Sequence, residues 1–128
     1  MILCIYNNNE MRDSMDYIDT YKSCLESCTK CLDASRDISV SLFERLEPSL
    51  LKQGANIMKD CEDICEITLK LLERKSNYSK QICSICADIC NECLNTHTLR
   101  SSYHFQKHIN TFEDCEEDCR KYYQSYND

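Results

Sequence analysis

The chain is expected to fold as an all-α protein, an antiparallel up-down four-helix bundle with a cysteine-lined core. Three observations lead there. Four stretches carry cysteine or apolar side chains three and four residues apart, which is the repeat of one helical face. The 128 residues include one Gly (Gly54), one Pro (Pro48) and no Trp, whereas a strand-rich fold needs the turns that Gly and Pro supply. All but one of the 12 cysteines fall on those four stretches. The length suits one domain. Residues 10–126 are read as that domain, and residues 1–9 as an N-terminal extension.

Segment one runs from about Glu10 to Arg36, with Asn9 as its N-cap. Cys24, Cys28 and Cys31 form its face, and Ser14, Tyr17 and Tyr21 continue that register backwards. The stretch from Asp37 to Pro48 holds Ile38, Val40, Leu42, Phe43 and Leu46, and reads as a short helix or a packed loop. Pro48 suits a first helical turn, where its missing N–H is harmless. Segment two runs from about Ser49 to Lys75, with Met58, Cys61, Cys65, Thr68 and Leu72 in register. Gly54 lies inside it and weakens it by about 1 kcal/mol relative to Ala, so a close helix approach is expected there. Segment three spans about Tyr78 to Thr98, capped by Ser76 or Asn77. Cys83, Cys86, Cys90 and Cys93 follow one another at +3, +4 and +3, and His97 continues the run. Segment four spans about Ser102 to Tyr126, where Cys115 and Cys119 share a face with His108, Phe112 and Tyr122. Short links at 76–78 and 99–102 favour an up-down order.

Charge and hydropathy exclude several functions. The net charge of −7 argues against nucleic acid and against an anionic membrane surface, both of which call for a basic face. No stretch approaches the roughly 18 apolar residues of a membrane span. The apolar run Met1–Tyr6 is short for a secretory leader and is followed by three Asn, so the cytoplasm is the expected compartment. There thiols stay reduced, and clustered cysteines point to metal.

Hydrophobic residues make up 42% of the chain, a figure that includes the cysteines, so the remaining apolar core is thin. Thiols pack less well than Leu, and stability alone does not account for eleven of them on four inward faces. Residues at i and i+3 or i+4 are neighbours on a helix, so such pairs can share a metal ion, and facing helices can complete a column of sulfur. Thiolate is a soft ligand that selects Cu(I), Zn(II) or iron–sulfur clusters. Cu(I) accepts two sulfurs, whereas Zn(II) asks for four in a tetrahedron. Several Cu(I) ions per chain are therefore the leading expectation, with zinc as the alternative. Cys83-x-x-Cys86-x-x-x-Cys90-x-x-Cys93 resembles a ferredoxin run only superficially, since a straight helix cannot wrap a cluster. A disulfide-stapled helical interaction protein is the main rival, because Cys24/Cys28, Cys61/Cys65, Cys86/Cys90 and Cys115/Cys119 are four Cys-x-x-x-Cys pairs. A zinc or redox-buffering thiol protein is a third reading. A catalytic thiol paired with His lacks a Gly-rich oxyanion loop, so no enzyme activity is expected.

The candidate metal ligands are Cys24, Cys28, Cys31, Cys61, Cys65, Cys83, Cys86, Cys90, Cys93, Cys115 and Cys119. His108, His97, His104 and Met58 join them as secondary candidates, and Cys4 lies outside the expected bundle. His97 and His104 belong to one end of the bundle, near Cys31, which is the expected mouth for copper.

The run "CSICADICNEC", preceded by "CEDIC" and followed by "CEEDC", resembles the cysteine-rich four-helix-bundle copper-storage proteins, a family also called ferredoxin-like. The resemblance covers about Tyr17 to Tyr122 and implies a bundle that stores many Cu(I) ions along its core. It also implies cytosolic members that assemble as homotetramers, and places the eleven thiols above at core positions. Tyr17, Tyr21, Leu72, Phe112 and Tyr122 stand where further thiols would extend the column, which implies a reduced capacity.

Overall fold

The computed structural model describes residues 2–45 and 48–125, with side chains placed for 17–42 and 54–125. It is helical throughout: α1 (Ile2–Arg45), α2 (Pro48–Glu73), α3 (Ser79–Leu94), α4 (His97–Arg100), α5 (Tyr103–Lys107) and α6 (Ile109–Ser125). No strand occurs among the described residues.

The first helix is longer than its cysteine stripe predicts. It begins before Asn9, which is therefore no cap, and it continues through the stretch after Asp37. Ile38 and Leu42 extend the inward face of Cys31 by two and then three turns, and both are buried. Cys4 is part of the α1 backbone, while its side chain, like those of Phe43 and Leu46 and all of Tyr126, lies outside the described residues. Pro48 opens α2 as expected. Gly54 is buried, and a β-carbon there would lie 3.3 Å from Leu99 Cδ2 and 3.5 Å from Leu42 Cδ1. The glycine is thus the price of a close approach between α1, α2 and α4.

Helix α2 ends in a turn that carries Lys75 at φ 53°, with Ser76 N–H donating to the Leu71 carbonyl at 2.9 Å. That turn uses Ser76 and Asn77, so Tyr78 rather than either of them precedes α3. The third helix stops at Leu94, earlier than expected. Asn95 Nδ2 donates to the Asn91 carbonyl at 2.8 Å and Thr96 Oγ1 to the Glu92 carbonyl at 2.7 Å, which satisfies the last turn. Segment four starts at Ser102, whose hydroxyl accepts from Phe105 N–H, but the helix breaks again at His108 before α6. The two short helices bend Leu99 and Phe105 into the end of the bundle, where both are fully buried.

Packing joins α1 to α2 and α6, and α3 to α2 and α6. Paired residues run in opposite sequence directions. On α1 and α2, Tyr21 donates to the Leu72 carbonyl at 2.6 Å, and Cys31 Sγ lies 3.8 Å from Cys61 Sγ. On α1 and α6, Tyr17 meets Tyr122 at 2.9 Å while Asp37 meets His108 at 2.9 Å. Outside, Arg36 reaches Glu62 (3.5 Å) and Glu66 (3.7 Å), and Arg120 reaches Asp88 (3.2 Å) and Glu116 (3.1 Å). Such exposed pairs contribute only about 0–1 kcal/mol each, so the interior decides the stability.

The replacement Gly54→Leu forces Leu99 and Leu42 aside. It is expected to destabilise the metal-free protein by about 1–3 kcal/mol, read as a lower urea midpoint with an unchanged slope.

Candidate metal centre

All eleven cysteines of the expected ligand set are fully buried and carry free thiols. They come from four helices: Cys24, Cys28 and Cys31 on α1, Cys61 and Cys65 on α2, Cys83, Cys86, Cys90 and Cys93 on α3, Cys115 and Cys119 on α6. The +3/+4 spacing turns each set to the axis.

The sulfurs gather in four overlapping groups whose members lie within 4.8 Å of one another. One is Cys24, Cys83 and Cys119. The next is Cys28, Cys86, Cys115 and Cys119. Then come Cys31 with Cys90 and Cys115, and Cys31 with Cys61 and Cys65. Nearest pairs across helices are Cys24–Cys83, Cys24–Cys119 and Cys28–Cys119, each at 3.6 Å. Cys31–Cys61 comes next at 3.8 Å, then Cys31–Cys90, Cys65–Cys86 and Cys115–Cys28 at 3.9 Å. A disulfide needs about 2.05 Å. Sulfurs around one ion at the ~2.3 Å metal–sulfur distance stand about 3.8 Å apart in a tetrahedron. The observed spacing excludes disulfides and is close enough for neighbouring sulfurs to share an ion.

Electrostatics narrows the choice of ion. Among the described residues, the buried polar side chains are Ser27, Ser35, Thr68 and Ser79, and none is Lys or Arg. A thiolate in this core thus has no cation to balance it, and an unbalanced buried charge is costly. Hydrogen bonds to neighbouring sulfurs, reinforced by burial, hold Cys24, Cys83 and Cys93 above the ordinary cysteine range. Cys119 shifts the other way, because Cys115, Cys24, Cys28 and Cys83 all hydrogen-bond its sulfur. Four thiolates around Zn(II) would leave a net charge of −2 in the core. One Cu(I) per thiolate leaves none.

The other candidates stand apart from the sulfur. None of the four groups contains a histidine. His108 Nε2 lies 2.9 Å from Asp37 Oδ2 at the surface, a pairing that lowers the Asp37 pKa. The break before α6 turns His108 out of the cysteine register. His97 begins α4 and is exposed, because α3 ends before it. His104 is half-buried beside Tyr103, with ring centroids 5.9 Å apart. Met58 is buried one turn from Cys61. Sequence spacing cannot reveal a partner such as Asp37, which is 71 residues from His108. It put Tyr17, Tyr21 and Tyr122 on inward faces, and the structure brings them into one ring cluster, with centroids 5.5–6.5 Å apart.

A helical bundle with a buried thiol column defines a metal-binding class. The sequence profile of the copper storage proteins matches residues 10–124, and the chain belongs to that family. It is 28% identical over 99 residues to the uncharacterized cysteine-rich protein YhjQ of Bacillus subtilis (strain 168), covering 77% of this chain and 92% of that one. The Cu(I)-bound copper storage protein BsCsp3 superposes with a TM-score of 0.71 at 27% identity, over 80% of this chain and 96% of that one. The Nmul_A1745 protein from Nitrosospira multiformis shares the fold, with a TM-score of 0.74 at 22% identity, over 82% of this chain and 95% of that one.

Cys31, Cys115 and Cys119 each belong to two groups, and Cys93 to none. Cys115→Ala is therefore expected to remove two or more Cu(I) ions and Cys93→Ala at most one, in a titration of reduced protein. His108→Ala is expected to leave the capacity unchanged.

Proposed function

We propose that the protein stores or sequesters copper as Cu(I), held by the thiolates of the eleven buried cysteines. The observation that carries this reading is the column of free thiols at ligand spacing in a core without cations. A monovalent soft ion at each thiolate leaves the interior neutral without requiring four ligands per ion. Family membership and the likeness to a Cu(I)-bound relative support the same ion. Storage needs no turnover, and the groups near the sulfurs are other sulfurs, so the reading assigns no catalysis.

The proposed unit is residues 10–126 as one bundle, with residues 1–9 as an extension of its first helix. The proposed compartment is the cytoplasm, where thiols stay reduced. No helix among the described residues is long and apolar enough to cross a membrane. The proposed assembly is a homotetramer, for which the half-exposed Ile67 of α2 and Ile85 of α3 supply apolar surface.

The deciding experiment is an anaerobic Cu(I) titration of reduced protein against a chromogenic chelator. The expected result is tight retention at a ratio near the number of core thiols. One or two ions would refute storage, and thiols oxidised as purified would favour the disulfide-stapled reading. Each new bond at a protonated thiol releases one proton, so loading in weak buffer at neutral pH is expected to acidify the solution. Affinity should then fall as the pH falls, because protons compete for the same sulfurs. The melting temperature is expected to rise with loading, because the ions fill and cross-link a thin core.

A further inference from the structure

We infer that the copper-free protein binds one Zn(II) ion at Cys28, Cys86, Cys115 and Cys119, and that Cu(I) displaces it. The site borrows sulfurs from the thiol column but stands without the copper reading.

The four sulfur groups of the column are not equivalent. Three of them offer three sulfurs each. Among the described residues, only the group of Cys28, Cys86, Cys115 and Cys119 offers four, and all four are fully buried. Zn(II) in a closed structural site takes four ligands in a tetrahedron. This group alone meets that demand.

Its sulfurs come from three helices. Cys115 and Cys119 are one turn apart on α6, the i and i+4 spacing that lets one helix grip an ion with two side chains. Cys28 of α1 lies 3.6 Å from Cys119 and 3.9 Å from Cys115. Cys86 of α3 completes the set, within 4.8 Å of the other three. A flat square of sulfurs at the 3.6 Å contact distance would have a diagonal of about 5.1 Å, which the 4.8 Å limit forbids. The four therefore enclose a point. In a tetrahedron with edges of 3.6 to 4.8 Å, that point is about 2.2 to 2.9 Å from each sulfur, a range that contains the ~2.3 Å zinc–sulfur bond.

The overlap of the groups limits zinc to one ion. Cys119 also serves Cys24 and Cys83, and Cys115 also serves Cys31 and Cys90. An ion that takes both leaves only two sulfurs in each of those groups. The remaining group, Cys31, Cys61 and Cys65, has no fourth member. Zinc so placed ties α1, α3 and α6 together and leaves Cys61 and Cys65 of α2 open.

Charge sets the order of preference. Four thiolates around Zn(II) carry −2 into a core where the described residues place no Lys or Arg, a costly remainder. Copper at one ion per thiolate removes that charge, and Cu(I) is the softer match for sulfur. Copper–sulfur bonds form as zinc–sulfur bonds break, Zn(II) leaves as the aqueous ion, and no oxidation state changes.

The test titrates reduced, metal-free, full-length protein anaerobically with Co(II), which occupies zinc sites and reports their ligands by visible absorption. One Co(II) per chain is expected, with the intense bands of a tetrahedral all-sulfur set. One equivalent of Zn(II) should bleach them, and Cu(I) should then release the zinc to a chromogenic indicator. Cys28→Ser and Cys86→Ser are expected to abolish the four-sulfur spectrum, and Cys61→Ser and Cys93→Ser to preserve it. Unchanged helical content by circular dichroism in all four variants separates loss of a ligand from loss of the fold. Absence of Co(II) and Zn(II) binding, or a four-sulfur spectrum that survives both Cys28→Ser and Cys86→Ser, would overturn the zinc site and leave copper storage standing. Zinc bound as expected in a protein that takes up no copper would overturn storage and the displacement, and leave the site.

Discussion

Eleven thiols share one interior in which the described residues place no cation, and this constraint governs the rest of the molecule. A thiol is a small, weakly polar group that packs poorly beside Leu or Ile. A thiolate in the same place carries a charge that nothing nearby cancels. The protonated core is therefore loose, and the ionised core is unstable. A soft monovalent ion resolves both faults at once, because it neutralises each sulfur and links helices that otherwise meet through weak contacts.

The helices are arranged to serve that core. Spacings of three and four keep the sulfurs of each helix in line, and pairing in opposite sequence directions interleaves those lines. Polar links stay at the rim. Ser27 bonds Asp118 between α1 and α6, His108 bonds Asp37, and Arg120 reaches Asp88. Acidic side chains occupy the outer faces and leave the interior to sulfur. The two short helices between α3 and α6 close one end with Leu99 and Phe105, so the column is bounded by apolar side chains there and by tyrosines at the other end.

Much of this was legible in the residues. Cys83, Cys86, Cys90 and Cys93 announce a helical face by spacing alone, Pro48 marks a helix start, and Gly54 marks a close approach. The course of α1 beyond Asp37 was harder to read. Ile38 and Leu42 fit a helix, but Val40 and Phe43 beside them blur the period, and only packing against Gly54 and Leu99 selects the answer. The break after Leu94 was also hidden. Asn95 and Thr96 can sit in a helix, and they end this one because their side chains return to the preceding carbonyls. His97 was read as continuing the third helix for the same reason. Register arithmetic assumes an unbroken helix, and each break rotates the residues beyond it.

Because the sulfur groups overlap, the sites cannot fill one at a time in isolation. Cys31, Cys115 and Cys119 each serve two groups, so occupying one group fixes ligands of its neighbour. Ions in such a lattice are not independent tenants. An ion that settles in one group fixes a sulfur its neighbour also uses, so loading along the column is coupled through Cys31, Cys115 and Cys119.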